Sequence, residues 1–338
     1  MIAGITSPIY LFLIPSFQPQ PDVPFVSKVK SLDWIGAALL AAVYALFIVT
    51  VSLDGSTFAW GSGASIALWV VFGVVLVACV VQQYFSLFAI PNRRTFPCAF
   101  LGSRSLVLLY IATAGAASAL FLTIYYIPLY FQFVHGDTAI QSSVRLLPCI
   151  FLFVFGVTLS GALQPAVGFY SPWYVVGGAC SLAGSVLMYT VDRSTSTAAI
   201  YGYTVLIAFG TGLNAQMAYS IAAVKVSPHE VPAAVGFINV AQIGGFAITL
   251  AIATSLFQNV GYSNLESVLG PNGFSAAEIR AALAGTRNAI SDADGGLQIA
   301  ALDIVVNTIS LEYTLAIAGS CMLFLAGLAM KWEQVVAQ

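Results

Sequence analysis

The sequence has little charge: Asp, Glu, Lys and Arg together make up 7% of its 338 residues. A soluble domain carries about 25% charged residues, so this chain cannot cover its whole surface with groups that water solvates. Hydrophobic residues make up 59% of the chain, and the mean hydropathy is +0.94. The composition therefore predicts a polytopic membrane protein. The net charge of −2 does not indicate a class of partner, and no part of the sequence resembles a basic face of the kind that binds nucleic acid.

Residues that usually carry chemistry are scarce as well. None of the five cysteines has a partner at metal-ligand spacing, and four lie in apolar runs, so we expect them to pack as small hydrophobic side chains. The two histidines, His135 and His229, fall on opposite sides of the membrane in the topology given below. A membrane enzyme would need a cluster of such groups near the interface. We therefore expect no catalytic residue, no metal site and no cofactor.

Long apolar runs predict eight spanning helices and an all-α fold. Each run approaches the roughly 20 residues that a helix needs to cross a bilayer, and none shows the alternation of a barrel strand. The first 14 residues are apolar but too short to span. The predicted helices are Trp34–Leu53, Ser65–Leu87, Leu106–Phe133, Leu146–Leu163, Trp173–Thr190, Ala199–Val224, Val235–Phe257 and Leu311–Met330.

Two polar segments between these helices are predicted to be loops. Residues 89–105 are expected to lie along the cytoplasmic headgroups as an amphipathic segment. Residues 258–310 are expected to form a long extracellular loop that carries two short amphipathic helices. The pattern Ser275-Ala-Ala-Glu278 predicts a capping box for the first of them, and the second is expected at Leu297–Val306. Asp33 is the expected N-cap of the first spanning helix.

The basic residues predict the orientation, because short cytoplasmic loops are enriched in Lys and Arg. Seven basic residues fall on one side of the predicted topology and two on the other in short loops, so the first side is expected to be cytoplasmic. The cytoplasmic set is Lys28, Lys30, Arg93, Arg94, Arg104, Lys225 and Lys331. Arg145 and Arg193 form the outer set, and Arg280 and Arg287 lie in the long outer loop, where charge has little influence.

Polar side chains form a stripe on the third predicted helix. Seven-residue spacing places Ser118, Tyr125 and Gln132 on one face of this helix. Such groups either hydrogen-bond a passing solute or bond a neighbouring helix, and the pattern leaves both open. Pro128 removes a backbone donor and is expected to kink the helix near its outer end. Arg145, at the outer start of the next helix, is expected to anchor the turn through helix-end carbonyls or Asp137.

Amides in the sixth and seventh predicted helices are further candidates for a site. Asn214 and Gln216 point to different sides of the sixth helix, because two residues correspond to about 200° of rotation. Asn239 and Gln242 share one face of the seventh. Each amide needs a partner in protein, water or solute. No Asp, Glu, Lys, Arg or His is expected at the centre of a predicted span.

Two stretches resemble a known family. Tyr125-Tyr-Ile-Pro-Leu-Tyr-Phe-Gln, followed by Gly136-Asp and Val144-Arg-Leu-Leu-Pro, is similar to the major facilitator superfamily, in particular the fourteen-helix drug/proton antiporters of the fungal toxin-efflux type. The segment Gly161-Ala-Leu-Gln-Pro-Ala-Val-Gly168 resembles a degenerate copy of that family's cytoplasmic Gly-x-Leu-x-Asp-Arg-x-Gly loop. Gly161, Leu163 and Gly168 match the motif, whereas Pro165 and Ala166 replace its charged pair.

The resemblance covers only the second part of the family's fold. It implies that residues 1–33 are the tail of a preceding helix and a cytoplasmic linker, and that residues 34–88 form two connecting helices. Residues 106–338 then form the six-helix C-terminal half of a transporter. The family's first six helices and charged motif loop are absent from the sequence, so a missing N-terminal half is an expected partner.

The implied function is proton-coupled efflux of small apolar organic compounds across a membrane, with the plasma membrane as the expected location. The third and sixth helices correspond to helices that line the cavity in this family. The expected contacts with the small-molecule substrate are Tyr125, Tyr126, Gln132, Asn214, Gln216, Asn239 and Gln242, with Pro128, Arg145, Gly161 and Gly168 as structural positions. Membrane lipid and the proton are the other expected partners. A truncated, non-transporting paralogue or assembly partner is the alternative.

Overall fold

A computed structural model describes residues 24–87, 94–283 and 295–334, and within these ranges the chain is helical, with no β-strand. The helices are α1 (Phe25–Lys30), α2 (Trp34–Leu53), α3 (Gly63–Phe85), α4 (Arg104–Val134), α5 (Ala139–Val144), α6 (Leu147–Val167), α7 (Ser171–Tyr189), α8 (Thr197–Ala215), α9 (Met217–Val224), α10 (Val231–Leu269), α11 (Ala276–Leu283) and α12 (Gly295–Ala329). Two short 3-10 helices lie at Cys98–Gly102 and Gly270–Asn272. The predicted tail at residues 1–14 falls outside the described residues.

Seven stretches in the described part of the chain are long and apolar enough to cross a membrane. They correspond to seven of the eight predicted spans, with α5 and α6 counted together, as are α8 and α9. The remaining predicted span is α7, whose 19 residues include several Gly and Ser and are therefore less apolar. Because α7 packs lengthwise against α8 and α12, it lies within the same bundle.

The bundle is organised around α4, which packs against both α12 and α10, and these two helices also contact each other. Helix α7 connects α12 to α8, and α8 in turn packs against α6. Helices α2 and α3 form a pair that attaches to the bundle through contacts of α2 with α10. Most side chains of α3 and α6 are exposed apolar groups such as Val74 and Phe151, which suit a lipid or protein environment and not water.

Asp33 fixes the start of the α2–α3 pair. Its carboxylate accepts hydrogen bonds from the amide of Gly36 at 2.8 Å, as the predicted N-cap should, and from the side chains of Gln82 and Gln83 at 3.0 and 2.9 Å. The amide of Thr95 donates to the same carboxylate at 3.2 Å. Burial would raise the pKa of Asp33, but these hydrogen bonds together hold it below its usual value.

The basic residues separate to opposite ends of the bundle, as their predicted grouping requires. At one end, Arg104 donates to the carbonyl of Ala329 at the end of α12, and Lys225 pairs with Glu333. At the other end, Arg145 pairs with Asp137 and Arg193 with Asp303. Two of the grouped residues, Arg93 and Arg287, lie outside the described part. Which end faces the cytoplasm stays a prediction.

The segment predicted as a long loop at 258–310 has a different structure. Helix α10 continues to Leu269 and α12 already begins at Gly295, so both helices project well beyond the predicted span boundaries. The predicted second short helix at Leu297–Val306 is therefore the first part of α12. Helix α11 is a separate short helix, and it has the predicted capping box: the Ser275 amide donates to the Glu278 carboxylate at 2.7 Å.

The parts of α10 and α12 beyond the predicted span boundaries are helical because they pack against each other and are not surrounded by water on all sides. Gly261, Leu265 and Leu269 on α10 are buried, as are Ala301 and Val305 on α12. Ile279 and Leu283 on α11 join the same apolar cluster. Outward-facing polar residues lower the mean hydropathy of these turns, and this made the segment look like a loop in the sequence.

Candidate functional site

The seven predicted substrate contacts do not meet in a single cavity. Tyr125 and Tyr126 line one pocket, Asn214 and Gln242 line a second, and Gln216 lines a third. Gln132 and Asn239 bond neighbouring side chains. The three spaces follow the bundle from one end to the other, with the Asn214 cleft between the two larger pockets.

The first space, called here the aromatic pocket, lies at the end of the bundle that contains Arg145. It has a volume of about 370 Å³ and lies between α4, α10 and α11. Tyr125 is 52% exposed, whereas Tyr126 is almost fully buried and its ring centroid lies 5.9 Å from that of Phe257. On the opposite wall, the Arg280 guanidinium lies 5.1 Å from the ring centroid of Tyr262. The pocket can therefore hold an apolar ring system, whose neighbours in the wall would be aromatic rings, tyrosine hydroxyl groups and the Arg280 guanidinium.

The second space, called here the central cleft, is lined by α4, α6, α7, α8 and α10. Its volume of about 20 Å³ is sufficient for one water molecule. Three buried polar atoms at this cleft have no hydrogen-bond partner among the described residues: Thr113 Oγ1, Tyr174 Oη and Asn214 Oδ1. The Asn214 amide nitrogen donates to the carbonyl of Gly210 at 3.0 Å. Because unpaired polar groups are costly in a membrane interior, the cleft is suited to a water or to a polar group of a solute.

Tyr219 on α9 connects the two predicted amides of α10. Its hydroxyl donates to Gln242 Oε1 at 2.6 Å and lies 3.4 Å from Asn239 Oδ1. Gln242 is half-buried and also lines the central cleft, whereas Asn239 is exposed. Tyr219 was not among the residues predicted from the sequence, although it lies three residues after Gln216 in a helix with one other hydroxyl group, that of Ser220.

The third space, called here the Gln216 pocket, has a volume of about 660 Å³ and lies beside the C-terminal end of α6. Gln216 sits at the junction between α8 and α9, where it is exposed. Gly161 and Gly168 also line this pocket. Gly168 ends α6 with φ +75°, a conformation that favours glycine. A side chain at Gly161 would meet nothing within 4 Å among the described residues, so no steric contact there requires glycine.

The polar stripe of α4 is mostly used to bind neighbouring elements. Ser118 donates to the carbonyl of Gly245 on α10 at 3.1 Å, and Thr249 donates to Ser118 at 2.8 Å. Gln132 donates to Ser142 Oγ at 3.1 Å and so connects α4 to α5. Of the three stripe residues, Tyr125 is the one whose side chain lines the aromatic pocket. Helix α4 continues through Pro128 for six more residues.

Arg145 has the partner that the sequence suggested. Its guanidinium forms an ion pair with Asp137, donates to Tyr201 at 3.5 Å and lies 4.6 Å from the ring centroid of Phe131. The side chain thus connects the turn after α4 to α4 itself and to α8. It does not line any of the three spaces described above.

One expectation from the sequence was wrong: an ionisable residue does lie near the middle of a helix that is long and apolar enough to span a membrane. The predicted start at Leu311 would put Glu312 at the outer edge of its helix, but α12 begins at Gly295, so Glu312 lies about halfway along it. The residue is fully buried, and neither carboxyl oxygen has a hydrogen-bond partner among the described residues. The sequence signal was the acidic residue itself, next to an apolar run whose start was placed too late.

Comparisons with known proteins place these features in context. The chain is 38% identical over 99% of its length to the efflux pump patC of Aspergillus clavatus, and 37% identical over 98% of its length to the MFS-type transporter pgmG of Aspergillus terreus. It covers 61% and 59% of those two proteins. The chain is 34% identical to the efflux pump alnA of Emericella nidulans over 99% of its length and covers 61% of that protein. No protein-family model matches the chain.

A solved structure shares the fold. A bacterial homologue of the human lysosomal transporter Spinster, in an inward-facing and occupied conformation, aligns with 90% of this chain and 70% of its own length. The TM-score is 0.50 and the sequence identity is 17%. The predicted resemblance to fungal transporters of the major facilitator type is therefore confirmed, together with the helical, multi-pass membrane fold. The chain spans about three fifths of the length of the curated relatives.

Proposed function

We propose that this chain, which resembles the second part of major facilitator transporters, contributes to proton-coupled export of small, largely apolar organic compounds. The observation that carries the proposal is the 38% identity to a fungal efflux pump across nearly the whole chain. The relatives named above are efflux pumps or transporters, so a transport role extends naturally to this chain. The expected location is the plasma membrane.

The described pockets support the proposed class of substrate. The aromatic pocket has tyrosine and phenylalanine walls, and the central cleft offers hydroxyl and amide groups without a charge. Such a surface stabilises an apolar molecule by burial of its rings and selects it through a few hydrogen bonds. A strongly charged nutrient would need an ionic partner at the central cleft, and the residues lining the cleft include none.

We further propose that a six-helix half preceding this segment supplies the other wall of the binding site. In transporters of this kind, substrate lies near the bilayer midplane between two repeats that rock against each other. The relatives are longer than this chain, which leaves room for such a half in the whole protein. Exposed apolar side chains on α6, such as Phe151 and Phe155, would then lie against that half or against lipid.

The test is export of cycloheximide, a small neutral toxin, from a yeast strain that lacks its own efflux pumps. Three proteins are compared: this chain, this chain fused behind the first six helices of patC, and intact patC as the positive control. We expect all three in the membrane, and cycloheximide export by the fusion but not by the chain alone. Collapse of the proton gradient with an uncoupler should stop export.

Two outcomes would contradict the proposal. Proton-dependent export by the chain alone would remove the requirement for a preceding half. Absence of export by a correctly inserted fusion, when patC is active, would favour the alternative of a non-transporting membrane paralogue or assembly partner.

A further inference from the structure

Glu312 occupies a specific place in the packing between α12 and α4. Seven residues after it on α12 comes Gly319, whose Cβ position would lie 3.0 Å from the Cβ of Ser118 on α4. Seven-residue spacing puts Glu312 on the same face, two helical turns nearer the aromatic pocket. Arg104 at the start of α4 bonds the carbonyl of Ala329 at the end of α12, so the two helices run antiparallel, and the level of Glu312 on α12 corresponds to that of Tyr126 on α4. Glu312 therefore points into the interface at the heart of the bundle.

The surroundings of Glu312 do not suit an ionised carboxylate. The residue is fully buried, and the apolar cluster at this level includes Leu122, Ile309 and Phe257. An isolated charge in such a place is costly, so the carboxyl group holds a proton while the site is closed to water.

The charged groups of the surrounding elements are occupied elsewhere. On α11, Arg280 bonds the carbonyl of Ser56. On α12 itself, Asp303 pairs with Arg193. Among the described residues, Tyr126 on α4 and Tyr313, next to Glu312 in the sequence, are titratable members of the apolar cluster, and Tyr262 of α10 faces the aromatic pocket. Among the described residues, no cation forms an ion pair with Glu312.

A route for a proton follows from the position of Tyr126. Its side chain lines the aromatic pocket and belongs to the apolar cluster at the level of Glu312. Rotation of this ring would connect the carboxyl group to the pocket, where Tyr125 is already half exposed. A hydronium ion in the pocket would then transfer a proton to the carboxylate and leave water, and the reverse step would release the proton.

We propose that Glu312 is the proton-binding residue of this chain and that it exchanges its proton with water through the aromatic pocket beside Tyr126. The proposal rests on the proposed function where it assigns that proton to export. The binding of the proton itself does not depend on transport and can be measured separately.

The first experiment measures protonation directly on the chain in native membranes. Dicyclohexylcarbodiimide, an apolar reagent, modifies protonated carboxyl groups within membranes, and mass spectrometry locates the modified residue. We expect modification of Glu312 at neutral pH, a reversible decrease as the pH is raised, and none at this position in Glu312→Gln. The matched control is Glu266→Gln on the projecting part of α10, which removes an exposed carboxyl group and should leave Glu312 labelling unchanged.

Either of two results would overturn the proposal. Absence of modification at Glu312 at every pH would show a site closed to protons and reagent. Modification that does not change with pH would show a permanently neutral structural residue. Because this labelling uses the unsubstituted chain, the test stands even if Glu312→Gln folds poorly. Tyr126→Ala provides a second check, since loss of the ring should speed the labelling several-fold, and an unchanged rate would exclude the proposed route.

The second experiment connects the proton to export. The fusion with the first six helices of patC is placed in liposomes. With Glu312→Gln, exchange of labelled cycloheximide across the membrane should continue, whereas accumulation of cycloheximide under a pH gradient should fall at least ten-fold. Equal loss of exchange and accumulation would indicate a structural defect and count against the proposal. If the unsubstituted fusion moves no cycloheximide although intact patC does, the proposed function fails, whereas the labelling result still decides whether Glu312 binds a proton.

Discussion

Gly115 of α4 and Gly319 of α12 face each other where the two helices cross. A Cβ atom at Gly319 would lie 2.7 Å from the carbonyl oxygen of Gly115, so neither position has room for a side chain. Small residues at this crossing let the two backbones approach closely, which is how membrane helices gain packing without a hydrophobic driving force. The same stripe of α12 carries Glu312, so this crossing also positions the proposed proton site.

Gly319→Ala should therefore destabilise the folded protein by about 1–3 kcal/mol, because the added methyl group meets backbone that cannot move aside easily. Unfolding in a detergent titration measures the change. Gly73→Ala is the matched control: it lies within α3, and its methyl group would meet nothing within 4 Å among the described residues. That control should be neutral or slightly stabilising, since alanine favours helix over glycine. Equal destabilisation by both variants would contradict the packing argument.

The spanning helices were predictable where local sequence defines an end. Helix α2 has the bounds predicted for it, because the Asp33 cap and an uninterrupted apolar run mark its start. The projecting parts of α10 and α12 were missed because half of their surface is polar and only the buried half, including Gly261 and Val305, is apolar. Their stability comes from contacts with each other and with α11, which a hydropathy average of one segment does not contain.

The candidate site was less predictable, since its groups come from five helices. Spacing identified the stripe of Ser118, Tyr125 and Gln132, but not that α10 and α5 already use two of its members. Tyr219 was missed because its role depends on the distance between α9 and α10. Glu312 shows the same limit in another form: a shift of one helix start changed an interfacial residue into a buried one.

The orientation of the bundle can be tested by labelling in intact cells. Asn272→Cys, at the turn after α10, should react with a membrane-impermeant thiol reagent from outside. His229→Cys, between α9 and α10 at the opposite end, should react only after the cells are opened. Both positions are exposed, so access depends on sidedness alone. The unsubstituted chain serves as the control for its five native cysteines, and the reverse pattern would invert every side assignment.

Arg145→Ala should lower the yield of folded protein. It should also lower the free energy of unfolding by about 1.5–3 kcal/mol, because the substitution removes charged hydrogen bonds and leaves Asp137 without its ion-pair partner. Arg193→Ala is a suitable comparison, since the ion pair of Arg193 with Asp303 is solvent-exposed and should contribute no more than about 1 kcal/mol. Yield by size-exclusion chromatography and detergent unfolding report both effects. A similar small effect for the two variants would remove the anchoring role of Arg145.

The C-terminal end of α12 should respond to acid. Glu333 accepts hydrogen bonds from Lys225 at 2.5 Å and from Tyr170 at 3.1 Å, and the Lys225 bond in particular lowers the pKa of Glu333. A carboxyl group whose pKa is lower in the folded than in the unfolded chain stabilises the native state when the pH is above the unfolded-state pKa. This contribution is lost as the pH falls through the folded-state pKa. Glu333→Gln should therefore be less stable than the unsubstituted chain at neutral pH, with the difference closing as the pH falls below about 4.5. A difference that persists in acid would point to packing instead of charge.

The last prediction concerns Tyr219 on α9 and Gln242 on α10, called here the α9–α10 cluster. It separates a role in solute binding from a role in holding the helices together. In the fusion with the first six helices of patC, Gln242→Leu removes the acceptor of the Tyr219 hydroxyl and a polar wall of the central cleft while keeping a similar volume. Tyr219→Phe removes the donor alone. Both should reduce cycloheximide export several-fold, because a polar group of the solute at the cleft would lose its contact with Gln242 or meet a Gln242 side chain that Tyr219 no longer orients, and neither should reduce membrane yield. Thr158→Val is the control, since among the described residues this exposed hydroxyl bonds the carbonyl of Val154 on its own helix and no other group. Tyr125→Ala should also weaken export by removing an aromatic wall of the other pocket, whereas Gln132→Ala, which breaks a bond to Ser142, should lower the yield first. Export at the unsubstituted level by both cluster variants would show that Tyr219 and Gln242 hold helices together and do not bind the solute.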